Sequence, residues 1–80
     1  MNYKERIEYQ TGLKLRKATK NEIGKTYWNG YWAKTYTVLD IFQTDIWGEC
    51  YKILWNDGNI TTHFTKFDPN YDYEVIGGEF

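Results

Sequence analysis

Apolar positions along the chain fall into short alternating runs broken by turn-forming residues, a pattern of strands rather than long helices. One early segment departs from it. Over Asn2–Gln10, Tyr3, Ile7 and Gln10 share a helical face, Glu5 and Arg6 lie on another, and Gly12 suits a C-cap. A helix this short is marginal alone and must dock on something. In LKLRKA (13–18), Leu13 and Leu15 alternate with Lys14 and Arg16, which predicts a strand. Thr19 and Glu22 have capping-box spacing and Gly24 follows, so 19–24 reads as a helical turn or tight loop.

Asn29-Gly30 predicts a turn between Tyr27-Trp28 and Tyr31-Trp32. Lys34 to Phe42 is rich in Thr, Tyr, Val and Ile and predicts a strand. Its phase breaks. Tyr36 and Val38 face one way and Leu39 and Ile41 the other, so a bulge near Val38-Leu39 is expected. QTDIWG (43–48) reads as a connecting loop.

In YKILWNDGNITTHF (51–64), Asp57-Gly58 suits a two-residue type I′ turn. That turn sets Trp55 opposite Ile60, Ile53 opposite Thr62 and Tyr51 opposite Phe64 on the apolar face. The polar face then pairs Leu54 with Thr61, Lys52 with His63 and Cys50 with Thr65. FDPNYD (67–72) reads as a turn, YEVI (73–76) as a last strand, and Glu79-Phe80 as frayed.

The Trp55-Asn56-Asp57-Gly58 hairpin and the Asp68-Pro69 turn leading into Tyr73–Ile76 resemble the SH3-like barrel plan of Src-homology, Tudor, chromo and KOW domains. The resemblance implies a mainly β fold: a small SH3-like five-stranded barrel with a short N-terminal α-helix. Residues 1–80 then form one domain, with 1–12 the docking helix and 13–78 the barrel. The acidic proline-binding pattern of Src-homology domains has no counterpart here, so a PxxP ligand is not implied. The stretch GKTYWNGYWAKTYTVLDI also resembles small uncharacterised phage and prophage proteins of Gram-positive bacteria. That likeness implies a setting in which the chain binds and modulates a host protein, and no known activity.

Composition bears on how so small a chain builds a core. Aromatic residues make up 20% of its 80 residues, and each ring buries roughly 150–250 Å². The single cysteine, Cys50, excludes an intrachain disulfide and points to a reducing cytoplasm. MNYKERIEYQ is charged, so a signal peptide is not expected, and no apolar run has the length of a membrane helix.

Charge is unevenly spread. Residues 1–34 hold eight basic and three acidic side chains, +5, and residues 35–80 hold two basic and eight acidic, −6. Lys14, Arg16, Lys17, Lys20 and Lys25 are therefore candidates for a nucleic-acid contact. Pairing of first and last strands would instead set Lys14 and Arg16 beside Asp72 and Glu74 and neutralise much of the excess. Otherwise Asp72 and Glu74 read as an exposed strand face.

Catalytic chemistry finds little support. Cys50 and His63 come out as diagonal neighbours on the polar face, without an orienting group or oxyanion site. No phosphate-binding or dinucleotide loop occurs, and one His with one Cys falls short of a zinc site, so neither cofactor nor metal is expected. The remaining lead is aromatic. Tyr27, Trp28, Tyr31, Trp32, Tyr36 and Trp47 outnumber what one side of so small a core encloses, and exposed rings suit a protein contact. A protein partner is therefore expected at Tyr27, Trp28, Tyr31, Trp32, Asp45 and Trp47, with a cation-binding ring cage at Asp45 as its sharpest form.

Overall fold

The computed structural model describes residues 1–63 and 70–78, with residue 63 described by its backbone alone. One helix, α1 (Tyr3–Thr11), precedes six strands: β1 (Lys14–Arg16), β2 (Thr26–Asn29), β3 (Lys34–Thr44), β4 (Gly48–Trp55), β5 (Ile60–His63) and β6 (Tyr73–Gly77). The helix ends follow the sequence. Asn2 Oδ1 accepts the Glu5 N–H at 2.8 Å, and Gly12, at φ +77°, donates its N–H to the Glu8 carbonyl. Tertiary contacts hold this short helix in place. Ile7 packs with Leu13, Leu15, Trp28, Tyr73 and Val75, and Glu8 Oε2 accepts the Leu15 N–H at 2.9 Å.

Among the described residues the strands form one antiparallel sheet in the order β1-β6-β2-β3-β4-β5. The fold is mainly β, but the expected five-stranded barrel is replaced by an open six-stranded sheet with β1 and β5 at its edges. β1 pairs with β6, as expected for first and last strands. The predicted strand over 13–18 shortens to Lys14–Arg16, and the predicted loop over 43–48 shortens to 45–47 as β3 and β4 extend into it.

Successive side chains of a strand point to opposite faces, and β2 uses this to divide the aromatics. Tyr27 joins Tyr36, Val38, Tyr51, Ile53 and Trp55 on one face, while Trp28 joins the helix-covered cluster on the other. The bulge in β3 keeps the first of these faces in phase. Val38 pairs with Ile53 and Asp40 with Lys52, leaving Leu39 as the extra residue. Ile41 then stands opposite Tyr51, back on the Val38 side, and packs against that core. Ile41 was expected to face away with Leu39; the inserted residue reverses the alternation beyond it.

The β4–β5 hairpin differs from the sequence reading by one residue. Trp55 N–H donates to the Asn59 carbonyl at 2.8 Å, and the pairs are Leu54–Ile60, Ile53–Thr61, Lys52–Thr62 and Tyr51–His63. The loop thus has three residues, with Gly58 at φ +92° in the left-handed position that closes such loops. Asp57 Oδ1 accepts the Asn59 N–H at 3.0 Å and supports it. A one-residue change of register exchanges the faces of β5. Ile60 turns outward, 56% exposed, and Thr61 stands behind Trp55, where its Oγ1 accepts the indole N–H at 2.9 Å. The expected Tyr51–Phe64 and Cys50–Thr65 pairs, the Asp68-Pro69 start of a turn and the Glu79-Phe80 end lie outside the described residues.

Gly30 sits where three segments meet. Its N–H donates to Asp72 Oδ1 at 2.8 Å, and a Cβ there would lie 2.6 Å from Tyr71 Cβ and 2.9 Å from the Tyr3 hydroxyl. The Tyr3 hydroxyl in turn donates to the Tyr71 carbonyl at 3.2 Å. Gly30→Ala is predicted to cost about 1–3 kcal/mol through overpacking. A lowered urea midpoint with unchanged slope is the expected result; an unchanged midpoint would show that this junction is loose.

Candidate functional site

The turn joining β2 to β3 presents two rings to solvent. Asn29 is buried, and its Oδ1 accepts the Trp32 N–H at 2.7 Å while its carbonyl accepts the Ala33 N–H at 2.9 Å. Held by these bonds, with Ala33 at φ +54°, the turn leaves Tyr31 84% and Trp32 56% exposed, their rings edge to face at 4.9 Å. The β4–β5 loop lies at the same end of the sheet. Trp32, Trp55, Asn59, Ile60 and Thr61 line an open cleft of about 340 Å³ with Lys34 and Asp57. The Lys34 ammonium lies 5.0 Å from the centre of the Trp55 ring and 3.5 Å from Asp57 Oδ2. The Asn59 N–H, followed by the Lys34 charge, holds the Asp57 carboxyl below its usual range.

The other predicted contact residues lie elsewhere. β3 is 11 residues long, which at about 3.3 Å per residue puts roughly 35 Å between the turns at its two ends. Asp45, Ile46 and Trp47 occupy the far turn, all exposed. Thr44 Oγ1 accepts the Trp47 N–H at 3.0 Å and donates to the Gly48 carbonyl at 3.2 Å, ordering that tip. Tyr27 and Trp28, 1% and 7% exposed, belong to the two cores. The expected surface therefore divides: Tyr31 and Trp32 at one end, Asp45 and Trp47 at the other, Tyr27 and Trp28 inside. Sequence reasoning missed Ile60 as a cleft residue because the two-residue turn put it inside, and missed Trp55 because it is a core residue that also lines the cleft. The signal was present in Asn56-Asp57-Gly58, which equally permits a three-residue loop.

Of the basic candidates, Arg16, Lys17, Lys20 and Lys25 come together around a smaller cleft of about 190 Å³, and Lys14 does not line it. Glu74 forms part of its wall, with a side chain 6% exposed. The Lys25 ammonium sits 3.1 Å from Glu74 Oε1 and 2.9 Å from Glu22 Oε2, and the Arg16 guanidinium bonds the other Glu74 oxygen. Arg16 is thus beside Glu74 as predicted, whereas Lys14 pairs with Gly77. Asp72 and Glu74 are both buried instead of lining an exposed face, because each is taken up by donors from neighbouring segments. Among the described residues neither Lys17 nor Lys20 forms an ion pair.

Cys50 is buried and pairs across the ladder with Phe42, its Sγ 3.8 Å from Thr44 Oγ1. It is not the expected diagonal neighbour of His63 on the polar face, and the expected Lys52–His63 pair does not form: position 63 pairs with Tyr51, so 50 and 63 are register positions on opposite faces of the hairpin. No three His, Cys, Asp or Glu residues converge among the described residues in a way that could hold a metal ion. Burial, then a bond to Glu49, raises the Tyr51 phenol to about 12, and it donates to Glu49 Oε1.

Burial alone would raise the Glu74 carboxyl, but bonds from Lys25 and Arg16 outweigh it and bring the group below its ordinary value of 4.5. A carboxyl lowered in the folded state adds stability above its unfolded value, and that stability is lost as pH falls through the folded one. Wild-type stability is therefore predicted to fall below about pH 4.5 more steeply than that of Glu74→Gln. Denaturant midpoints between pH 3 and 7 check this, and parallel profiles would exclude Glu74 as the titrating group.

Comparison with protein-family models, curated proteins and solved structures gives no match for this chain.

Proposed function

We propose that the chain is a non-enzymatic protein-binding module that receives an apolar side chain of its partner between Trp32 and Trp55. One observation carries this reading. Trp32, 56% exposed, and the largely buried Trp55, far apart in sequence, line one open cleft, with exposed Tyr31 and Ile60 beside it. Tryptophan and tyrosine are the side chains most enriched where binding energy concentrates. The short turns are pinned by Asn29 and Asp57, so little ordering cost falls on association. The Lys34–Asp57 pair at the rim is solvent-exposed and contributes register more than affinity. An opened variant of the SH3-like plan accommodates such a module, and the likeness to phage proteins makes a bacterial cytoplasmic protein the partner to seek.

The second reading is a nucleic-acid module using Lys14, Arg16, Lys17, Lys20 and Lys25. The meeting of four of these around one cleft favours it. The commitment of Arg16 and Lys25 to Glu74 counts against it.

Affinity capture from nuclease-treated bacterial lysate separates the two. Trp32→Ala, a change at an exposed ring, is predicted to keep the fold and lower capture at least tenfold, the loss of about 2 kcal/mol typical of a central contact. Ile46→Ala with Trp47→Ala, at the far turn, is predicted to leave capture unchanged. Capture by Trp32→Ala at the wild-type level would sink the proposal, as would capture that nuclease abolishes.

A further inference from the structure

We infer that the cleft bounded by Arg16, Lys17, Lys20 and Lys25 is a seat for one phosphate group, separate from the tryptophan cleft. The charges decide its character. Four cations line the cleft against two carboxylates, Glu22 and Glu74, leaving a local excess of +2. Glu74 is nearly enclosed, and both its oxygens are occupied, one by Lys25 and one by Arg16. It fixes those two cations at the wall, and with Glu22, which also pairs with Lys25, balances their charge. Lys17 and Lys20 form no ion pair among the described residues, although the Lys20 charge acts on Glu22, and they supply the excess charge. Thr19, which also lines the cleft, adds a hydroxyl donor.

The site is also held in shape. Val38 N–H donates to the Lys25 carbonyl at 3.0 Å, and Gly24 N–H to the Val38 carbonyl at 2.8 Å, fastening the 19–25 segment to β3. Glu22 N–H donates to the buried Tyr27 hydroxyl at 2.8 Å, closing the same segment against the core. An anion thus meets lysines carried on a segment anchored at both the sheet and the core. Size fits the seat: about 190 Å³ admits a phosphate group with its oxygens.

This predicts a distinctive dependence on salt and chain length. Seating one phosphate gives a slope of log K against log salt of about −0.7 for a single strand, against about −2.8 if the four cations neutralised four phosphates. Inorganic phosphate and a ten-residue oligo-dT, titrated separately into the full chain and followed by NMR shifts of Lys20 and Lys25 amides, provide the probes. Phosphate is expected to bind saturably at low ionic strength, and the oligonucleotide no more tightly than its number of equivalent phosphates accounts for. Lys17→Gln with Lys20→Gln is expected to weaken phosphate at least tenfold. Glu22→Gln removes an exposed carboxylate from the rim and is expected to tighten it severalfold. The absence of saturable phosphate binding, or binding indifferent to both changes, overturns the proposal. So does an oligonucleotide slope at or beyond the four-cation value, which would return these residues to a nucleic-acid track.

Discussion

The chain's last described strand lies between two of its first, and the rest of the structure depends on that insertion. β6 pairs with β1 on one side and β2 on the other, through Arg16–Glu74 and Tyr27–Glu74 respectively. Its second residue, Glu74, is a buried carboxylate, which is tolerable only when its oxygens are satisfied. Arg16 comes from one neighbouring strand and Lys25 from the approach to the other. Such a pair adds little net stability over an apolar alternative, but a register that stranded Glu74 would be strongly disfavoured. One side chain therefore fixes three segments, and the lysine cleft exists because those segments are fixed.

The insertion of β6 also determines where the rings go. With β6 against β2, Trp28 lies with Tyr73, Val75 and the helix, and Tyr27 with Tyr36 and Trp55 on the opposite face. The Tyr27 and Tyr36 rings stack at 5.6 Å, and Tyr36 meets Trp55 edge to face at the same separation. That row extends across the sheet from β2 to β4 and makes Trp55 a fixed wall of the tryptophan cleft. Core and candidate site are thus continuous: Trp55 belongs to the core and also lines the cleft.

Local chemistry was legible in the sequence, and features set by long-range geometry were not. The Gly12 cap and the bulge at Leu39 could be read because each is written in neighbouring residues, and the β1–β6 pairing came with the SH3-like plan; the Asn2 cap was not foreseen. The β4–β5 register could not, since Asp57-Gly58 fits both a two-residue and a three-residue loop. That single residue moved Ile60 from the core to the cleft rim and brought Thr61 to the Trp55 indole. Whether the sheet closes was equally hidden, because closure depends on strand tilt and stagger summed over all strands. Among the site residues, exposure of Tyr31, Trp32 and Trp47 followed from their turns. Burial of Tyr27 and Trp28 followed from β6, whose place between β1 and β2 no local motif announces.

The two clefts and the far turn are separate surfaces on one scaffold, each made from residues the sheet brings together. All three presuppose the strand order. Cross-strand NOEs in the full chain test it most directly. Contacts linking Arg16 with Glu74 and Tyr27 with Glu74 are predicted, with none directly between β1 and β2. Direct β1–β2 contacts, or Glu74 protons free of both neighbours, would contradict the insertion of β6 and with it both clefts.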